Sequence, residues 1–119
     1  MIKLIVAGSR EFNDYNIVKS KLDKLLQNKP AEIISGMARG VDMLGVQYAI
    51  ENDLVLHRMP ANWHLYGKQA GMLRNIDMAK MATHCVVFRL NKSKGSTHMI
   101  ETAQYHGLEL RVYDFKTKE

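Results

Sequence analysis

Cysteine is almost absent from this 119-residue chain: there is one, Cys85, inside the apolar run Cys85-Val86-Val87-Phe88. A lone thiol in such a run reads as a buried, inert side chain, and its scarcity fits a reducing, cytoplasmic setting. Long apolar runs are missing too. Nothing approaches the ~18 residues of a membrane span, and no signal peptide is visible, so no membrane partner is expected. The five histidines (His57, His64, His84, His98, His106) show no metal-ligand spacing, and no cysteine cluster supplements them, so no metal is expected. The chain lacks G-x-G-x-x-G, which disfavours a standard NAD dehydrogenase. It lacks G-x-x-x-x-G-K-S/T, which excludes a P-loop kinase or GTPase. There is no linker, repeat or low-complexity segment.

What is present is a basic surplus. Seventeen Lys and Arg against twelve Asp and Glu give a net charge of +5. That favours anionic partners without separating nucleotides from polynucleotides. The lysines Lys19, Lys21, Lys24, Lys29, Lys116 and Lys118 are scattered and read as solvated faces rather than a basic stripe.

Strand-like and helix-like segments alternate along the chain. Strands are expected at Ile2–Ala7, Ala31–Ser35, Leu54–Met59, Thr83–Leu90 and Leu108–Phe115. Between them, helices are expected at Tyr15–Asn28 with Asp14 as N-cap, Val41–Asn52, Lys68–Met81 and Thr97–His106 with Gly107 as C-cap. The apolar stripe of the first is Tyr15, Val18, Leu22, Leu25 and Leu26. Val41, Leu44 and Tyr48 face inward on the second, Met72, Ile76 and Ala79 on the third, and Ile100 and Ala103 on the fourth. Such alternation argues an α/β, Rossmann-like three-layer sandwich: a parallel sheet of about five strands with helices on both faces. The reading is one nucleotide-binding domain over residues 1–115 and a frayed tail over 116–119.

Four segments at strand-to-helix junctions are suited to an anion, because glycine lets the backbone approach it and a starting helix offers unpaired N–H groups. Gly8-Ser9-Arg10 follows the first strand, and Arg10 can pair with a phosphate through two hydrogen bonds. Gly36-Met37-Ala38-Arg39-Gly40 leads into Val41-Asp42. Asp42 can accept ribose hydroxyls or satisfy first-turn N–H groups, but capping alone explains neither glycine nor Arg39. In Gly67–Asn75, Gly71 lies inside a helix at a cost of ~1 kcal/mol relative to alanine. Close approach by a neighbouring element or a ligand would explain it, with Arg74 and Asn75 projecting from the next turn. Ser93-Lys94-Gly95-Ser96-Thr97 precedes the last helix, which Ser96 or Thr97 can cap, leaving free N–H groups for an anion. Trp63 can stack on a base or cover the core edge. The eight methionines read mostly as packing.

These segments together resemble the SLOG superfamily, and within it the small single-domain YspA- and YpsA-related members. Gly8-Ser9-Arg10-Glu11-Phe12 is similar to their opening G-S-R-x-F/W. Ser35 to Asp42 is similar to S-G-G-A-R-G-x-D, with Met37 at the second glycine. Pro60-Ala61-Asn62-Trp63 is similar to P-A-D-W, Gly67 to Asn75 to G-K-x-A-G-x-x-R-N, and Ser93 to Ile100 to S-x-G-T-x-x-M-I. The resemblance covers nearly the whole chain.

It implies a Rossmann-like fold and, often, a homodimer. It also implies binding or sensing of a small phosphorylated nucleoside ligand, a nucleoside monophosphate or an NAD or ADP-ribose derivative, with no further cofactor required. The implied ligand residues are Gly8, Ser9, Arg10, Gly36, Ala38, Arg39, Gly40, Asp42, Arg74, Asn75, Gly95, Ser96 and Thr97. Two relatives extend the implication differently. The LOG proteins are phosphoribohydrolases that cleave an N-glycosidic bond with an arginine, matched by Arg74, and a glutamate. That glutamate falls here on Met99 or Ile100. Glu101 is displaced, and a helix turns ~100° per residue. Glu11 and Asp42 are the substitute candidates beside Arg74. The DprA proteins bind single-stranded DNA, and their S-G-x-A-R-G-I-D resembles Ser35 to Asp42. The chain lacks their extra domains and an aromatic stacking series, so a nucleic-acid partner is the less favoured alternative.

Overall fold

In a computed structural model, residues 1–117 of the chain are described. Five strands form one sheet: β1 (Ile2–Gly8), β2 (Ala31–Ser35), β3 (Val55–Arg58), β4 (His84–Leu90) and β5 (Glu109–Phe115). They lie in the order β3-β2-β1-β4-β5, and every pairing is parallel. The helices are α1 (Tyr15–Leu26), α2 (Val41–Glu51), α3 (Trp63–Tyr66), α4 (Ala70–Met81) and α5 (Lys94–Tyr105), with a 3-10 turn at Gly67–Gln69 between α3 and α4. The expected Rossmann-like three-layer α/β architecture is present.

The apolar runs of β1 and β4 are continuous because both faces of these strands are covered. Successive side chains alternate between the two faces. Leu4, Val6, Val86 and Phe88 pack with Val18, Leu22, Val41 and Tyr48 of α1 and α2. Ile5, Ala7, Cys85 and Val87 pack with Met78 of α4 and Met99, Ile100 and Ala103 of α5. Each Val, Leu, Ile, Phe or Met side chain so withdrawn from water contributes roughly 1.5–3 kcal/mol. Cys85 is fully buried, and burial pushes its thiol up to about 12, so it is inert as expected.

Local capping follows the sequence closely. The Asp14 side chain accepts the Ile17 N–H at the start of α1. At the end of α5, Gly107 takes a φ of 68°, its N–H reaches the Gln104 carbonyl and the Leu108 N–H reaches that of Ala103. This is the paired closure that a left-handed residue after a helix permits.

Several boundaries and faces differ from expectation. Trp63 opens α3 rather than lying in a loop, because Asn62 accepts the Leu65 N–H as N-cap. α5 begins at Lys94 with Ser93 in the cap position, so Gly95, Ser96 and Thr97 form its first turn rather than preceding it. Met72 is not in the core of α4; it is 49 % exposed, and Met78 takes the inward position. Of the methionines, Met78 and Met99 are fully buried, whereas Met1, Met43 and Met72 are exposed. In the expected tail, Thr117 exchanges two hydrogen bonds with Asn91; residues 118–119 lie outside the described residues. Among the described residues, no helix is long and apolar enough to cross a membrane.

Candidate functional site

The chain runs from β1 through α1 to β2 on one side of β1, and from β3 through α4 to β4 on the other. The order therefore reverses between β1 and β4. At such a point the two loops leaving the strand ends diverge and leave a crevice. A cleft of about 690 Å³ lies there, lined by Gly8–Glu11 after β1 and by Leu90, Asn91 and Ser93–Ser96 after β4. Asp42 of α2, Trp63 of α3, Lys68, and Met72, Arg74 and Asn75 of α4 complete its wall. The volume lies within the ~300–1,000 Å³ usual for small-molecule sites.

Three serine hydroxyls hold the two loops together. Ser9 Oγ lies 2.6 Å from Ser93 Oγ and 3.3 Å from Ser96 Oγ, and Ser93 and Ser96 are 2.9 Å apart. The Leu90 N–H donates to Ser9 Oγ at 2.8 Å. Ser93 thereby spends its hydroxyl on the clasp and makes no side-chain cap to α5. The N–H groups of Lys94, Gly95 and Ser96 belong to the first helical turn, which has no intrahelical acceptor for them. Gly95 is open, with nothing within 4 Å of a Cβ built on it. The chemistry available there is that of an anion site: aligned N–H groups at a helix start, with Arg10, Lys68, Lys94 and Arg74 lining the same cleft.

Arg74 is held from two sides. Its Nη1 donates to the Gly36 carbonyl at 2.5 Å, and its Nε donates to Asn75 Oδ1 at 3.1 Å. Asn75 is buried and also contacts His98 Nδ1 at 3.1 Å. A Cβ at position 36 would stand 2.5 Å from Arg74 Nη1 and 2.8 Å from Asp42 Oδ2. Glycine at 36 is what lets the guanidinium and the carboxylate close over the same backbone. Asp42 Oδ2 accepts the Ala38 N–H at 3.2 Å, so the carboxylate reaches back into the loop that leads into its helix. Burial pushes the Asp42 carboxyl up to about 6, against the pull of Arg74 and of the Ala38 and Gly8 N–H groups. Burial also lowers the Arg74 pKa, opposed by Asp42 and reinforced by the Arg10 charge.

The residues singled out in the sequence divide into three sets. Gly8, Ser9, Arg10, Glu11, Ala38, Asp42, Arg74, Asn75, Gly95 and Ser96 line the cleft. Gly36 and Gly40 stand behind it: Gly36 under Arg74, and Gly40, with a φ of 81°, packed so that a Cβ would collide with the Ser9 and Arg10 carbonyls. Arg39 and Thr97 point elsewhere. Arg39 is exposed and pairs with Glu11 at 2.6 Å. The Thr97 hydroxyl donates to the Ser93 carbonyl and accepts from Arg89, which itself binds Asp114 through two bonds. Residues not marked as binding also line the cleft: Trp63, Lys68, Met72, Asn91, Lys94, His98 and Met99. The last stands where the LOG glutamate is one of two alignments, whereas Glu101 is exposed and off the wall. Lys68 and Lys94 flank glycines at helix starts, the one signal that pointed to them.

A family model for YspA, cpYpsA-related SLOG proteins matches residues 2–66, more than half of the chain. The chain belongs to this SLOG family. Its similarity to the Gene 61 protein of Mycobacterium phage D29 is 33 % identity over 91 % of this chain and 93 % of that protein. The matched stretch contains the Gly8 and Gly36 loops and Trp63. The Arg74 and Ser93–Ser96 contributions to the cleft come from beyond it.

Proposed function

We propose that this SLOG protein binds or senses a small phosphorylated nucleoside ligand, such as a nucleoside monophosphate or an NAD or ADP-ribose derivative. The observation that carries the reading is the cleft over the β1/β4 switch point, which an uncapped helix start and the Arg10, Lys94 and Arg74 side chains all line. The phosphate sits at the first turn of α5 and the sugar lies toward Asp42. Mass spectrometry of ligand released from the purified protein, followed by calorimetry with mononucleotides, tests this. Arg74→Ala should weaken mononucleotide binding about 10- to 150-fold, the range for a charge-assisted hydrogen bond. Unchanged affinity in a folded Arg74→Ala protein removes the proposed site.

One observation favours N-glycosidic hydrolysis as a second reading. Asp42 places a buried carboxyl with a raised pKa beside Arg74 on the cleft wall, and an oxocarbenium-like transition state requires a nearby carboxylate. With Met99 or Ile100 at the aligned glutamate position, free base should be released from nucleoside monophosphates slowly or not at all. Turnover of ~1 s⁻¹ or more by chromatographic assay, abolished in Asp42→Asn, would make hydrolysis the function.

A further inference from the structure

The cleft is not polar throughout. Trp63 and Met72 both line it, and they stay 50 % and 49 % exposed. Of the exposed large apolar side chains, these two are the ones that line the cleft. Gly71, which precedes Met72, has a specific geometry: a Cβ there would stand 3.3 Å from Trp63 Cη2 and 3.7 Å from Cζ2. The indole edge therefore rests on bare helix backbone. This accounts for a glycine inside α4, where it costs ~1 kcal/mol. Asn62 fixes the first turn that carries the indole by accepting the Leu65 N–H at 3.0 Å. The indole is thus a positioned plate, supported on one edge and lining the cleft, whose wall also carries the polarisable thioether of Met72.

We infer that Trp63 and Met72 form the base-binding half of the cleft, and that the ligand carries an aromatic base stacked on the Trp63 ring. This rests on the phosphate reading above, because the anion groups hold the other end of the same molecule. An indole offers every nucleobase its face, and stacking tolerates base identity. Met72 adds a sulfur–aromatic contact. The site should therefore discriminate strongly between a nucleotide and a sugar phosphate, and weakly among bases.

Trp63 is the chain's single tryptophan, so indole emission, excited where tyrosine does not absorb, reports this plate alone. Wild-type protein is titrated with AMP, GMP, UMP, NAD, ADP-ribose, ribose phosphate and inorganic phosphate, with emission and calorimetry read in parallel. The mononucleotides should change Trp63 emission saturably and bind within about tenfold of one another. Ribose phosphate should bind about 5- to 150-fold more weakly, the range for loss of one base–aromatic stack, and leave emission unchanged. Trp63→Ala should bring the mononucleotides to the affinity of ribose phosphate, while Trp63→Phe keeps most of the difference. Equal affinities for mononucleotides and ribose phosphate with unchanged emission overturn the plate and leave the phosphate reading standing. Absence of binding by every phosphorylated probe overturns both. Should Trp63→Ala fail to fold, wild-type emission and the Trp63→Phe affinities decide the matter.

Discussion

Asp42 is the residue on which the site's electrostatics turn. Its folded carboxyl titrates at about 6, against 3.8 for the ordinary group. Between those values the folded chain holds a proton that the unfolded chain has lost. More protons bound in the folded state means that stability falls as pH rises through that window and is level above it. Two units at ~1.4 kcal/mol each bound the loss at about 3 kcal/mol. Denaturant unfolding from about pH 4 to pH 7 should show this decline in wild type and a flatter profile in Asp42→Asn; identical profiles would contradict the burial argument. Arg39 is a useful counterpart to Arg74. Both are arginines in glycine-containing motifs, yet one is half-buried on the cleft wall against the Gly36 carbonyl and the other is exposed against Glu11. An exposed pair contributes ~1 kcal/mol or less. Sequence spacing cannot distinguish the two; packing does. Met37 takes a φ of 64°, a left-handed conformation that costs a non-glycine residue roughly 1–2 kcal/mol, at the position that the resembled pattern S-G-G-A-R-G-x-D gives to glycine.

At the scale of elements, the serine clasp decides how β1, β4 and α5 meet. Ser9 leaves the end of β1, and Ser93 and Ser96 stand at the start of α5, more than eighty residues away in sequence. Their hydroxyls and the Leu90 N–H form one small network, fully paired among the described residues. Ser9→Ala leaves the Leu90 N–H and both partner hydroxyls short of one bond each. A buried unpaired polar group costs ~1–3 kcal/mol, so the variant should unfold at lower denaturant by about that amount, with an unchanged slope against denaturant. A loss below ~0.5 kcal/mol would show that water replaces the clasp freely. The same network explains the misplaced start of α5. Ser96 and Thr97 are good cap residues by type, but their hydroxyls go to Ser93, Ser9 and Arg89. α3 escaped notice because a four-residue helix has no periodicity to read.

For the whole molecule, the open question of assembly has a physical handle. Residues 62–69 are exposed throughout, and they include Leu65 and Tyr66 at 65 % and 51 %. That is apolar area a partner could cover. We propose a homodimer that covers Leu65 and Tyr66, which lie outside the cleft lining. Light scattering after size exclusion should give twice the 13.6 kDa chain mass, and Leu65→Asp with Tyr66→Asp should return it to the monomer. A monomer at all concentrations in wild type would refute the assembly.

The residues themselves determined a great deal. The five strands, the α/β alternation, Asp14 and Gly107 at helix ends and the inert Cys85 follow from short-range pattern, because apolar runs, period and capping act within a few residues. The glycines at strand ends are legible for the same reason. Strand order, the reversal between β1 and β4, the serine clasp, the outward turn of Arg39 and the use of Met72 and Trp63 on a wall rather than in the core were decided only by tertiary structure. Each depends on which groups from distant segments arrive beside one another, and no local period carries that information. Gly71 shows the division in one residue: its cost inside a helix is readable from the sequence, and the indole that accounts for it is visible only once α3 and α4 have packed.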